Sequence, residues 1–240
     1  MATIVFASSK GGVGKTTSAL VLATTLAEQA TVTLIDADPN WPMANWLARA
    51  TEGGEVPEKL KIVHGTKGEP IDEDNILDFI KTADAESQFV IVDLAGVGSM
   101  MAGYAIGLAD LVIAPMGASQ VEADESSKIL KVIQRQEISS NRRIPFRALF
   151  TRSPAAIRTR NMDLIQKEMK DAGLKAFENH LHDREAYRTI FTYGATLRSE
   201  GLENLVSSVP KAILNAALYT QEVVQVLRDE MAQSRQSKSA

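Results

Sequence analysis

At 240 residues the chain is long enough for one large domain with a well-buried core, and length alone does not demand two. An apolar fraction of 45% and a charged fraction of 23% are those of an ordinary soluble globular protein, and the absence of cysteine excludes disulfides, thiolate zinc sites and cysteine-ligated iron–sulfur clusters within the chain. The net charge of −4 conceals an asymmetry: residues 1–120 hold seven Lys+Arg against fifteen Asp+Glu, net −8, and residues 121–240 hold nineteen against fifteen, net +4. A dipolar chain of this kind can present a basic face while remaining acidic overall. No apolar run approaches the ~20 residues of a membrane helix and no signal sequence opens the chain, so a cytoplasmic protein is expected.

Taken in order, Thr3–Ser8 reads as a buried parallel strand, and Lys10–Thr17 (KGGVGKTT) leads from it into a helical pattern over Thr16–Gln29. Gly11, Gly12 and Gly14 allow the backbone to turn its N–H groups inward around an anion. Lys15 offers a point charge to phosphate oxygens, the Thr16 hydroxyl can ligand Mg²⁺, and the helix dipole points at the same place. This is a phosphate-binding loop, with Ser9 and a second lysine, Lys10, where the usual pattern starts on glycine. Thr31–Asp36 is a second β-rich run ending in Asp36-Ala37-Asp38-Pro39. Strand, helix and strand at this spacing predict a right-handed βαβ unit. Asp36 and Asp38 lie two residues apart after the strand and call for different jobs, one of them free to face a γ-phosphate.

Asn40–Ala50 reads as a short helix carrying Trp41 and Trp46, residues 51–59 as a loop, Leu60–His64 as a strand and Glu73–Thr82 as an amphipathic helix. Phe89–Leu94 (FVIVDL) is a β-branched run placing Asp93 where a metal-associated aspartate stands beside a phosphate loop. Asp110–Pro115 and Phe146–Thr151 are further strands, with Gln120–Gln136 helical between them and Arg152-Ser153-Pro154 as an exit loop. A helix is expected over Asn161–Ala172, one last strand around Ala176–Leu181, a short helix over Arg184–Thr192, and one or two helices over Leu202–Met231 with Pro210 at a start or kink. The domain is expected to span 1–231, and the tail 232–240, rich in Ser, Gln and basic residues, to be disordered.

The loop form KGGxGKT resembles the signature of the ParA/MinD family of P-loop ATPases. LIDADPN, FVIVDLAG, LVIAP and FTRSP extend the resemblance over most of the chain, nearest to the short partition ATPases of the ParA/ParF type. The resemblance implies a single-domain α/β P-loop NTPase, with a mostly parallel twisted sheet flanked by helices on both faces. It implies ATP and Mg²⁺ as cofactors, held by Lys10, Gly11, Gly12, Val13, Gly14, Lys15, Thr16 and Thr17, with Thr151 and Arg152 at the base and Thr16, Asp36 and Asp93 around the metal. Lys10, Lys15 and Asp38 take the catalytic roles: Lys10 reaches a partner's phosphates across an ATP-bound homodimer, and Asp38 orients the attacking water. Nonspecific DNA and a centromere-binding or cargo adaptor protein are the implied partners, with nucleoid association in the ATP form. Family position assigns DNA contacts to Arg184, Arg188, Arg198 and Lys211, within a stretch, 131–188, that holds thirteen Lys+Arg against seven acids. One departure is Asn40-Trp41, where relatives carry Gln and a small polar residue. The alternatives are a membrane-associated positioning ATPase, disfavoured by a tail without apolar residues beyond alanine, a small-molecule ligase on the same scaffold, and a nucleotide binder without useful hydrolysis.

Overall fold

Period-two alternation in the strands builds the molecule. In β1 (Ala2–Phe6) the side chains of Ile4 and Phe6 join one buried cluster and Val5 the other, as a strand covered on both faces requires. The computed structural model describes residues 1–53, 55–66, 68–117, 119–153, 160–171 and 173–238, with the side chains of all of these except 120–127, 160–161, 235 and 237–238. The other strands are β2 (Val32–Ala37), β3 (Leu60–His64), β4 (Phe89–Leu94), β5 (Leu111–Met116), β6 (Phe146–Ser153) and β7 (Leu181–His182). They form a seven-stranded sheet in the order β3-β2-β4-β1-β5-β6-β7, and each pairing is parallel.

Helices α1 (Lys15–Leu26), α2 (Pro42–Gly53), α7 (Glu185–Tyr193) and α9 (Val209–Lys238) cover one face, and α3 (Ile76–Glu86), α4 (Met100–Leu108), α5 (Gln120–Ser140) and α6 (Arg160–Asp171) the other. The one-turn α8 (Leu202–Leu205) leads into α9. The chain winds outward from β1 first to one side and then, after β4, to the other. The loop after β1 therefore lies at the switch point, where open α/β sheets bind their ligands.

Three differences from the sequence expectation have physical causes. Helix α4 has no amphipathic period to reveal it, since MMAGYAIGL is apolar nearly all round. Ser99 starts it by accepting from the Ala102 N–H at 3.2 Å, and Gly103 and Gly107 leave room for the Gln136 side chain of α5, which a Cβ would meet at 3.0 and 3.2 Å. The strand expected around Ala176–Leu181 shrinks to Leu181–His182 and a single bridge, Ala148 to Ala176. The N–H groups of Glu178 and Asn179 between them go to the Glu222 carboxylate of α9, each at 2.8 Å. Helix α9 continues past Met231 to Lys238, through part of the tail expected to lack structure, for no Gly or Pro follows Pro210 to stop it. Its buried Glu230 pins it to β6 through Arg147 at 2.9 Å, with Arg143 at 3.7 Å.

Candidate functional site

The loop between β1 and α1 takes the shape its glycines permit. Gly12 and Gly14 have φ of 76° and 87°, a region closed to most side chains, and Gly14 starts α1 with no side chain capping the first N–H groups. Those donors are free for an anion. The loop is clamped from behind: the buried Thr151 hydroxyl of β6 donates to the Val13 carbonyl at 2.7 Å, with the Met116 carbonyl at 3.3 Å, and its side chain packs 3.5 Å from where a Gly14 Cβ would stand. In the free chain Thr151 thus supports the loop. Arg152, next in sequence, is exposed with φ 54°.

Lys15 and Lys10 differ sharply. Lys15 is buried, and its Nζ lies 2.7 Å from Asp93 Oδ1 at the end of β4. Lys10 is exposed, and its ammonium makes no hydrogen bond or ion pair among the described residues. The other Asp93 oxygen, Oδ2, is buried without a hydrogen-bond partner. Burial pushes the Asp93 carboxyl above its usual range, and Lys15 and the Thr16 hydroxyl draw it back. An orphaned carboxylate oxygen beside a threonine hydroxyl fits Mg²⁺ or one of its waters, so the residues suit the metal. Among the described residues no group of three or more His, Asp or Glu side chains could hold a metal ion.

Parallel register sets Asp36 of β2 directly beside Asp93. Asp36 Oδ2 accepts from the Met43 and Ala44 N–H groups at 2.8 and 3.2 Å, starting α2, and Oδ1 accepts from the Asp38 N–H at 3.3 Å. This helix-starting job was not visible in the sequence. Asp38, half-buried, has its own arrangement with Asn40, so the two carboxylates have different hydrogen-bond partners. Burial, with Asp93 adding to it, pushes the Asp36 carboxyl up to about 6 despite the three backbone donors. A raised carboxyl binds its proton more tightly in the folded chain, so stability is lost as pH climbs from the unfolded value near 4 through the folded one. The metal-free protein is expected to lose roughly 2–3 kcal/mol between pH 4 and 6.5 from this group, and Asp36→Asn to flatten that slope, as read by urea unfolding across the range.

Beside the loop opens a cleft of about 420 Å³, floored by Gly14, Thr17 and Ser18 and walled by Arg152, His182 and residues of α7, including Tyr187. His182, bonded through Nδ1 to Ser153 at 2.9 Å, is held below its ordinary pKa by burial and by Arg184. Sequence reasoning did not reach His182 or Tyr187, since only the β6–β7 pairing carries them to the phosphate loop. Trp46 of α2 donates to the Ala195 carbonyl at 3.0 Å, tying the aspartate side of the site to α7.

The four candidate DNA contacts do not form one patch. Arg184 and Lys211 line a common groove, which also holds the exposed Leu214 and Leu218. Arg184 Nε is buried without a partner. Arg188 is paired with Asp183 at 2.5 Å and Glu185 at 2.8 Å, and Arg198 lies elsewhere, paired with Glu28 at 3.1 Å. Several further arginines of the basic stretch are spent internally: Arg142 on Asp110 and two carbonyls, Arg143 and Arg147 on Glu230. Arg158 falls outside the described residues, and so does Pro154 of the expected exit loop.

Comparison with known proteins follows the same lines. The family model described as VirC1 protein matches residues 1–225. The chain is 34% identical over 232 residues to Protein ParA of Rhizobium radiobacter, covering 96% of this chain and all of that one. Among solved structures, an ATP complex of an aspartate-to-alanine variant of Cyanothece McdA superposes with a TM-score of 0.68 at 18% identity, over 93% of this chain and 96% of that one. The septum site-determining protein MinD of Pyrococcus horikoshii, complexed with Mg-ADP, superposes with a TM-score of 0.67 at 14% identity, over 94% and 98%.

Proposed function

The chain belongs to the VirC1/ParA family of P-loop ATPases, and on that premise we propose that it is an ATP-driven switch: it dimerises on Mg·ATP, binds DNA without sequence preference, and partitions or positions DNA or another large cargo until an adaptor protein stimulates hydrolysis. The observation that carries this reading is the contrast between the two loop lysines. Lys15 is buried and aimed at its own site, while Lys10 is exposed with no hydrogen-bond or ion-pair partner for its ammonium among the described residues. A lysine so placed suits the phosphates bound by a second copy.

In the reaction the attacking water bonds to the γ-phosphorus as the bond to the β–γ bridging oxygen breaks, giving ADP and phosphate. Asp38 orients the water and receives its proton for passage to solvent. Lys15 moves from Asp93 to the β- and γ-phosphate oxygens, the loop N–H groups donate hydrogen bonds to the same oxygens, and Thr16 and Asp93 would hold the metal, with Asp36 behind them. Bound Mg²⁺ supplies charge neutralisation on the phosphates. The cleft beside Thr17 and Ser18 takes the base. DNA would meet Arg184 and Lys211, with Arg188 and Arg198 released from ion pairs that, being exposed, are worth only ~0.2–1 kcal/mol each. The protein would then be cytoplasmic, on the nucleoid when ATP-bound.

Analytical ultracentrifugation and DNA co-sedimentation test this. Wild type is expected to dimerise and to bind random-sequence DNA with Mg·ATP, and to do neither with ADP. Lys10→Ala is expected to bind nucleotide but to lose dimerisation and at least ~10-fold of the turnover. Equal DNA binding with ADP and ATP would overturn the switch. Unchanged turnover in Lys10→Ala would favour a small-molecule ligase.

A further inference from the structure

Asp38 does not project alone from the end of β2. Its Oδ1 accepts two hydrogen bonds from one residue, the Asn40 backbone N–H at 2.9 Å and the Asn40 side-chain Nδ2 at 3.0 Å. The first is the ordinary turn an aspartate makes with the chain two residues on. The second is not needed for that turn, and it fixes the plane of the carboxylate. Asn40 is exposed, and its side chain makes no other hydrogen bond among the described residues. Among the described residues Asp38 Oδ2 accepts no hydrogen bond.

The loop around this pair is held from both sides. The Trp41 N–H donates to the Asp38 carbonyl at 2.9 Å, and Trp41 sits at φ 47°, a conformation that bulky residues avoid. Pro39 and Pro42 restrict the chain on either side, and Asp36 anchors the start of α2 just beyond. We propose that Asn40 is a positioning residue for Asp38: its amide occupies Oδ1 and so presents Oδ2 as the oxygen that meets the attacking water. This rests on the reading of Asp38 as the water-orienting residue. Asparagine suits the task, because its amide donates to an oxygen two residues back, whereas an aspartate of the same shape has no hydrogen to donate.

The test compares wild type, Asn40→Asp, Asn40→Ala, Asn40→Gln and Asp38→Ala for kcat and KM of Mg·ATP hydrolysis, and for ADP affinity by tryptophan fluorescence, with Trp41 beside the site as reporter. Asn40→Asp keeps the shape of the side chain but loses the donor and sets a like charge against Asp38. It is expected to lower kcat about tenfold or more. Asn40→Ala, which loses one of two hydrogen bonds, is expected to lower kcat roughly three- to tenfold. Asn40→Gln, which keeps an amide donor, should retain more of the kcat than Asn40→Ala, and ADP affinity should stay within about twofold throughout. Wild-type kcat in Asn40→Asp, where Asp38→Ala is inactive, overturns the positioning role alone. A fall in kcat matched by an equal loss of ADP affinity makes Asn40 merely structural and also overturns it. An active Asp38→Ala variant, or a wild type that does not hydrolyse ATP, instead overturns the reading on which the role rests.

Discussion

Replacing Lys15 with alanine is expected to abolish nucleotide binding and, separately, to destabilise the free protein by about 3–5 kcal/mol at pH 7.5, because Asp93 would be left buried without its cation. Lys15 Nζ is 2.7 Å from Asp93 Oδ1, the carboxylate is fully buried, and its other oxygen has no partner. Removing the lysine removes the largest influence that draws the Asp93 carboxyl down. Its folded pKa therefore rises further, and the penalty grows as pH climbs above the unfolded value near 4 and is small below it. Urea unfolding at pH 4.5 and 7.5 should show this widening gap. The double variant Lys15→Ala/Asp93→Asn separates fold from function. It should regain most of the stability at pH 7.5 and still bind no ATP, because no cation remains for the phosphates. If Lys15→Ala proves as stable as wild type at both pH values, the pair contributes nothing to the free fold and the account of Asp93 is wrong.

Gly194→Ala is expected to cost about 2–4 kcal/mol, which in a chain of this size is a fall in Tm of roughly 5–12 °C. Gly194 ends α7 at φ 63°, where an L side chain is already disfavoured. A Cβ there would lie 2.4 Å from the Ala50 backbone nitrogen and 2.5 Å from the Arg49 carbonyl carbon, atoms of α2 that cannot step aside. The two elements must part, loosening the bonds of Trp46 to the Ala195 carbonyl and of Arg49 to the Phe191 carbonyl, each at 3.0 Å. Since α7 walls the cleft beside the phosphate loop, nucleotide affinity should fall along with stability. Gly173→Ala is the control: it too has a positive φ, 75°, but its Cβ would meet nothing within 4 Å, so only the ~1 kcal/mol backbone cost should appear.

Much of the phosphate site was legible in the sequence because its chemistry is local. Glycines at 12 and 14 reach positive φ for reasons internal to the loop, and a buried strand ending in Asp93 announces its own direction. Helix α4 was not legible, since its exposed positions, Met100 and Tyr104, are as apolar as its buried ones and leave no 3.6-residue stripe. The short β7 was not either, because a side chain on α9 takes the N–H groups that a longer strand would have paired. Charge counted by segment does not say which cations are paired: Arg142 meets Asp110 and Arg147 meets Glu230, both distant in the chain, with Arg143 3.7 Å from the same Glu230.

By itself, then, the sequence determined that a parallel α/β sheet carries a phosphate loop with two lysines and acidic residues at neighbouring strand ends, since strand and loop propensities act over a few residues. Tertiary structure decided which of these groups touch. Strand register set Asp36 beside Asp93, and folding brought Lys15 to Asp93 across 78 residues of chain; the start of α2 claimed Asp36, and Lys10 stayed in solvent. Those choices turn on desolvation and on hydrogen bonds between segments far apart in the chain, which no local pattern of residues encodes.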